Sequence, residues 1–252
     1  MDVLDASQIA LRGVDVRVLE RCTSTNSLLL ESAVRRPALL ACEAQTAGRG
    51  RRGRRWHSVP GRSITFSLAC AVRRAPRELA ALSLVAGVAC VRALRRLGAA
   101  GVSLKWPNDL LAGGAKLGGI LVETRSQAGA THAVIGVGLN FAPSRALARR
   151  VRRRIAYVAD HVKAGRNEVI RALGGEILDA LAAFEAHGLP ALREEWEAMD
   201  AHAGQRLRVR LADGRVVSGV AAGLAADGAL RLRTRAGLRA VTSGRVVSSR
   251  AA

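Results

Sequence analysis

Aromatic residues are scarce: three Phe, three Trp and one Tyr in 252 residues. So few stacking platforms argue against single-stranded nucleic acid as the main ligand. Lysine is scarcer still, since only Lys105, Lys116 and Lys163 stand among 40 basic residues, the rest being Arg. Asparagine occurs four times. The four cysteines, Cys22, Cys42, Cys70 and Cys90, include no CxxC pair and sit at apolar positions, which reads as reduced core thiols and neither a disulfide frame nor a metal site. No long apolar run exists. The longest, Leu79 to Val91, is interrupted by Ser83 and is too short to cross a bilayer. Asp2 and Asp5 stand where a leader would be basic and then apolar, so a cytoplasmic protein that avoids membranes is expected.

What is present is apolar and basic. Hydrophobic residues make up 49% of the chain, enough for a large core, and the formal net charge is +20. The loss of Lys and Asn in favour of Arg looks like a composition bias that places Arg at solvated positions. The surviving Lys and Asn therefore draw notice. Lys105 and Lys116 share one short segment, and Asn26, Asn108 and Asn140 fall in Gly- or Thr-containing motifs.

Val14–Glu20 alternates as a strand, and Ser24-Thr25-Asn26 caps a helix running to about Val34. Ala38–Ala44 reads as a buried strand and Ser63–Val72 as another. A long helix starts at Pro76 and stops near Gly98. Strands follow at Val102–Trp106, Gly119–Thr124 and Ala133–Asn140, then helices at Asn167–His187 and Pro190–Met199. From about His202 the texture changes. Leu207, Val209 and Leu211 alternate with Arg206, Arg208 and Arg210, and Asp213-Gly214 and Asp227-Gly228 mark hairpin turns. The expectation is an α/β (α+β) domain over 1–201, a mixed sheet flanked by helices, and a small β-barrel over 202–252.

Four segments carry chemistry. In Gly48-Arg49-Gly50-Arg51-Arg52-Gly53-Arg54-Arg55, three glycines let the backbone aim N–H groups at one anion, and five arginines add forked donors. A ligand loop and a merely basic or RNA-binding loop both fit that segment alone. In Lys105-Trp106-Pro107-Asn108-Asp109, Pro107 stops the strand and presents Asn108 and Asp109 at its end, a place where α/β sheets hold ligands. A carboxylate beside a lysine suits Mg²⁺ with phosphate oxygens, and a plain Asn-Asp turn fits the same residues. Lys116-Leu117-Gly118-Gly119 can send an ammonium into a pocket while the backbone lies close to a ligand; a surface lysine is the alternative. Gly136-Val137-Gly138-Leu139-Asn140 ends a strand with glycine spacing too short for a dinucleotide fingerprint, leaving purine recognition or a turn.

Taken in order, Ser24-Thr25-Asn26, Gln45 with Gly48–Arg54, Trp56, Lys105–Leu110, Lys116–Glu123 and Gly136–Asn140 resemble the biotin–protein ligases. The resemblance is strong from Val14 to Phe141 and weaker elsewhere. It implies a class II synthetase/lipoate-ligase-like catalytic domain with a C-terminal SH3-like β-barrel. It also implies activation of biotin with ATP and Mg²⁺ to biotinyl-5'-AMP, then transfer to a lysine of a biotin carboxyl carrier protein. Ser24, Thr25, Asn26, Gln45, Gly48, Trp56 and Gly118 would line the biotin site, with Arg49 closing over it. Arg51, Arg52 and Arg54 would hold the biotin carboxylate and ATP phosphates. Lys116 would reach the carboxylate and α-phosphate, with Lys105 a further phosphate-side charge; Arg51, Lys105 and Lys116 form the catalytic set. Asn108 would face the nucleotide, Asn140 the adenine, and Asp109 the metal. Tyr157 is an aromatic that could cover adenine, but its distance from Asn140 keeps it outside the set. Some members carry an N-terminal helix-turn-helix domain and repress transcription. Only 23 residues precede Ser24 here, so a ligase without that domain is expected, as monomer or homodimer.

Two rivals compete with this reading. A lipoate or octanoate ligase or transferase on the same scaffold needs a deep apolar slot, against which the Ser-Thr-Asn and Gln45 set argues. A nucleic-acid-binding protein is motivated by the charge and by six arginines between Arg145 and Arg154, and its binding should weaken steeply with salt.

Overall fold

Ser63–Val72 (β3) is buried at nine of its ten positions, as expected of a strand covered on both faces. It lies inside a seven-stranded sheet. The computed structural model describes residues 2–32, 35–127, 130–151 and 154–250. The sheet uses Asp15–Cys22 (β1), Ala38–Gln45 (β2), β3, Val102–Lys105 (β4), Asp109–Ala112 (β5), Ala115–Gln127 (β6) and Ala130–Asn140 (β7). Their order is β1-β2-β3-β7-β6-β5-β4, with β1 and β2 parallel and every other pair antiparallel.

Helices cover both faces. Before β1 stands a single turn, Ala6–Ile9 (α1). Thr25–Glu31 (α2) starts from Ser24, whose hydroxyl accepts the Ser27 N–H, and its Leu29 packs with Leu40, Ala69 and Val134. Leu82–Arg96 (α3) and Arg166–His187 (α5) pack together on the opposite face, after the short Arg145–Arg150 helix (α4) that precedes α5. Pro190–Ala198 (α6) closes this unit.

The sequence reading needs three corrections here. The helix expected from Pro76 is split, with a 3-10 segment over Pro76–Ala81, as is frequent at helix N-termini, and α-helix only from Leu82. Helix α2 stops at Glu31; Val34, its expected end, lies outside the described residues, as do Arg152, Arg153, Ala251 and Ala252. Asp109 does not hang beyond a strand but begins one: β4 reverses through a cis Trp106–Pro107 peptide into β5, and Lys105 pairs with Asp109. Gly136–Asn140 does end a strand, β7, as expected, and within it Gly136 and Gly138 are each paired on both sides.

The second unit is a five-stranded antiparallel sheet of Arg206–Arg210 (β8), Val216–Leu224 (β9), Leu230–Thr234 (β10), Gly237–Val241 (β11) and Arg245–Arg250 (β12), in order β11-β10-β9-β8-β12. Gly214 and Gly228 supply the left-handed residues of its first two turns, at φ of 85° and 84°. Its inner residues Leu207, Val209, Leu230 and Leu232 belong to the same continuous core as α3 and α5. One tie reinforces that packing: Trp106 Nε1 donates to the Gly228 carbonyl (3.2 Å). Among the described residues no helix is long and apolar enough to cross a membrane.

Candidate active site

A cavity of about 310 Å³ opens between the seven-stranded sheet, the arginine-glycine loop and the second sheet. Ser24, Thr25, Asn26, Gln45, Arg49, Arg51, Arg52, Arg54, Trp56, Lys105, Asn108, Asp109 and Lys116 all line it, so most of the residues singled out from sequence converge. The second sheet adds Gly244–Val247 to its wall.

One end is polar and neutral. The Thr25 N–H donates to Gln45 Oε1 (2.8 Å), with the Thr25 hydroxyl 3.3 Å from the same oxygen. Because a backbone N–H can only donate, Gln45 must turn its carbonyl to Thr25 and its NH₂ away. Asn26 is oriented by the same logic. Its Nδ2 donates to Leu121 O (3.2 Å) and Glu123 Oε2 (3.0 Å), which are acceptors only. Its Oδ1 stands 2.6 Å from the Ser67 hydroxyl, which donates to it; that hydroxyl is also 2.7 Å from Thr25 Oγ1. Ser67 and Glu123 were missed as site residues. A signal for the first was available: Ser63, Thr65 and Ser67 are polar at every second position of an otherwise apolar, buried strand, and such a stripe needs partners.

The glycines of Gly136–Asn140 have a different use from the one expected. A Cβ on Gly136 would fall 2.2 Å from Asn26 Oδ1, and one on Gly138 2.4 Å from the Trp56 ring. The close approach is made by this protein's own side chains. Gly136 and Gly138 line the cavity, whereas Gly48 and Gly118 do not; a Cβ on Gly118 would meet Leu139 Cδ2 at 2.3 Å and one on Gly48 the Trp56 carbonyl at 2.5 Å, so both serve packing.

The loop is a small hairpin. Arg49 bridges Arg55, the Gly50 N–H donates to Arg54 O (2.7 Å), and the Trp56 N–H donates to Gly48 O (2.9 Å). At its tip Arg52 and Gly53 take left-handed backbone, φ 56° and 69°. The side chains fan out. Arg49 pairs with Glu123 (2.7 Å), Arg51 donates to Asn108 Oδ1 (3.3 Å), and Arg52 reaches Ser243 Oγ on the second sheet (2.9 Å). Burial lowers the Arg51 pKa, and the charges of Arg52 and Arg54 add to this while Asp109 opposes it.

Asp109 is the single carboxylate among the described lining residues and is ion-paired with Lys116. Asn108 Nδ2 donates to Ile120 O (2.9 Å), so its amide braces β6 while its oxygen holds Arg51. Asn140 lies outside the cavity wall: buried, it donates to Lys116 O (2.9 Å) and Ala156 O (3.4 Å) and ties the backbone around Lys116. Tyr157 does not line the cavity.

Known proteins share this arrangement. Residues 18–140 match the Biotin/lipoate A/B protein ligase family and residues 202–248 the Biotin protein ligase C terminal domain. The chain is 36% identical over 238 residues to the bifunctional ligase/repressor BirA of Escherichia coli, covering 92% of this chain and 74% of that protein. It is 34% identical to the biotin--[acetyl-CoA-carboxylase] ligase of Mycobacterium tuberculosis, covering 92% and 88%. The biotin protein ligase of Aquifex aeolicus, solved with biotin and ATP, superposes with a TM-score of 0.80 at 27% identity, over 94% of this chain and 99% of that one. With both units matched and the cavity lined by the motifs that suggested it, the chain belongs to the biotin protein ligase family.

Proposed function

We propose that this cavity joins biotin to ATP, forming biotinyl-5'-AMP, and then passes the biotinyl group to a lysine of a biotin carboxyl carrier protein. The observation that carries this is the fixed polarity of the neutral end beside the cationic one. Gln45 turns an NH₂ away from Thr25, and Asn26 offers the free lone pair of an oxygen. A cyclic urea needs that combination: a donor for its carbonyl and an acceptor for an N–H. An apolar lipoyl or octanoyl chain would leave both unmatched, at a cost in affinity.

In the first step a carboxylate oxygen of biotin attacks the α-phosphorus of ATP and pyrophosphate leaves. Both reactants are anions. Arg51, Arg52, Arg54, Lys105 and Lys116 offset their repulsion and the charge that builds on the pyrophosphate. Mg²⁺ characteristically takes one or two carboxylates and completes its shell with phosphate and water oxygens, and a cavity with Asp109 alone matches that habit. When bound there, the ion would neutralise phosphate charge. In the second step the acceptor amine attacks the anhydride carbonyl, AMP leaves, and the amide forms with loss of a proton. No enzyme nucleophile is needed. Arg49, carried by the loop over Trp56, shields the intermediate from water. We assign catalysis to residues 1–201, and to residues 202–252 a supporting sheet that closes the cavity wall. A supply of ATP and of carrier protein supports a cytoplasmic location for the reaction.

Biotin-dependent exchange of pyrophosphate into ATP is the direct test. Lys116→Ala should slow it by about 10²-fold or more, the scale for removing one pre-placed charge from a transition state. Exchange driven by lipoate or octanoate in place of biotin would overturn the substrate, and exchange unaffected by Lys116→Ala would overturn the roles.

A further inference from the structure

Glu123 lies on β6 with its side chain 22% exposed, and its two carboxylate oxygens face in different directions. Oε2 accepts from Asn26 Nδ2 at 3.0 Å, and Oε1 pairs with the Arg49 guanidinium at 2.7 Å. Asn26 is 3% exposed and belongs to the polar wall, whereas Arg49 is part of the arginine-glycine loop and has its side chain 46% exposed. A single anionic group therefore joins the strand wall of the cavity to its arginine-glycine loop.

We propose that Glu123 is a positioning residue for biotin: one oxygen fixes which way the Asn26 amide points, and the other latches Arg49 and hence the loop. This rests on the biotin-ligase reading of the cavity. Without Glu123, Asn26 Nδ2 keeps only Leu121 O as an acceptor, and the energetic bias that turns Oδ1 toward Ser67 and the ligand weakens. A flipped amide would set an NH₂ against the N–H of a cyclic urea, donor against donor. Arg49, released from Glu123, retains Ser27 Oγ at 3.3 Å, an exposed and weaker contact. Glu123 thus couples recognition of the urea ring to retention of the intermediate behind the loop, although neither its charge nor its hydrogen bonds need touch the reacting atoms.

The two oxygens can be separated by mutation. In Glu123→Ala both contacts go; in Glu123→Gln the amide oxygen can still accept from Asn26, but the NH₂ meets Arg49 as donor against donor. The measurements are KM for biotin and for ATP in pyrophosphate exchange, and the release rate of preformed biotinyl-5'-AMP. Glu123→Ala should raise the biotin KM by about 10-fold with the ATP KM within about twofold, and should speed release by about 10-fold, the scale of one or two charge-assisted hydrogen bonds. Glu123→Gln should recover most of the biotin KM and keep the fast release. Arg49→Ala should release as fast as Glu123→Gln, and the double variant no faster than either single one, because both cut one interaction. Biotin and ATP KM values rising together would mean general damage to the cavity and would overturn the proposal. So would additive release rates in the double variant, a comparison that stands even if Glu123→Ala does not fold. A wild-type protein with no biotin-dependent exchange would instead remove the biotin reading, and the proposal with it.

Discussion

Arg51 is the residue whose surroundings are hardest to reconcile with a purely structural role. Its guanidinium is partly buried, is crowded by Arg52 and Arg54, and has one long hydrogen bond to Asn108 in return. Burial and like charge both disfavour the cation, so a bound carboxylate or phosphate would relieve an existing cost. We expect Arg51→Ala to release preformed biotinyl-5'-AMP about 10- to 100-fold faster, the range for one charge-assisted hydrogen bond to an anion, with thermal stability unchanged or raised. Rapid-mixing release and a melting curve on the same sample check both halves; wild-type release would mean that Arg51 faces away from the intermediate. The residues legible from sequence were those of rare type. Lys105, Lys116, Asn26 and Asn108 stood out against an arginine-rich background and proved to line the cavity. Ser67 was legible only through the polar stripe it forms with Ser63 and Thr65, and Glu123 not at all, because one glutamate on a strand looks ordinary until the strands beside it are known. Asn140 was legible as special but not in its purpose, since only the fold brings the carbonyls of Lys116 and Ala156 to its amide.

Among the elements, β2 is held by a charge network outside the cavity. Arg166, at the start of α5 and 1% exposed, pairs with Asp2 and with both oxygens of Glu43 on β2. Glu43 also accepts the N–H groups of Leu4 and Gly61 and stands two residues before Gln45, on the same side of the strand. For Glu43 and Asp2 alike, burial on its own would raise the pKa, but hydrogen bonds and charge from Arg166 outweigh it and hold both below the usual carboxylate range. Their contribution to stability is therefore complete above the unfolded carboxylate range, about pH 4, and is lost as pH falls through the lower folded values. Arg166→Met should cost about 2–3 kcal/mol at pH 7, because it leaves two partly buried carboxylates without their cation, and that deficit should shrink as pH falls and they are protonated. Urea unfolding of both proteins at several pH values measures it, and a deficit independent of pH would mean that packing and not charge is what Arg166 supplies. The elements themselves were mostly legible: β3 and α5 carry long patterns and were placed within a residue. β5 was not, because four residues between two reversals are too few for alternation to register. The arginine network was invisible for a different reason, Arg166 being more than a hundred residues from either carboxylate in the chain.

At the scale of the whole molecule, the change of texture near His202 marks where one sheet gives way to the other, but nothing in the texture reveals how tightly the two join. The chain crosses at Met199–Ala201, which lies along β4: Leu104 N–H donates to Met199 O and Ala201 N–H to Leu104 O, at 2.7 and 2.8 Å. Asp200 sits between these bonds and accepts the His202 N–H (3.0 Å). Burial pushes its carboxyl up to about 6, helped by the charge of Glu197 and opposed by that hydrogen bond. A carboxyl with a raised folded pKa binds its proton more tightly in the native state, so stability from this group is greatest below about pH 4 and declines as pH rises to about 6, then stays reduced. His202, pushed down to about 4 by burial and then by the Lys105 charge, slopes the other way over the same range. The Asp200→Asn variant isolates the first effect, because His202 is common to both proteins and Asn keeps an oxygen for the His202 N–H. We expect Asp200→Asn to match wild type at pH 4 and to exceed it by about 1 kcal/mol at pH 7.5, read from denaturant unfolding. An equal difference at both pH values would show that water reaches Asp200, and the joint between the sheets would then be wetter than its packing indicates.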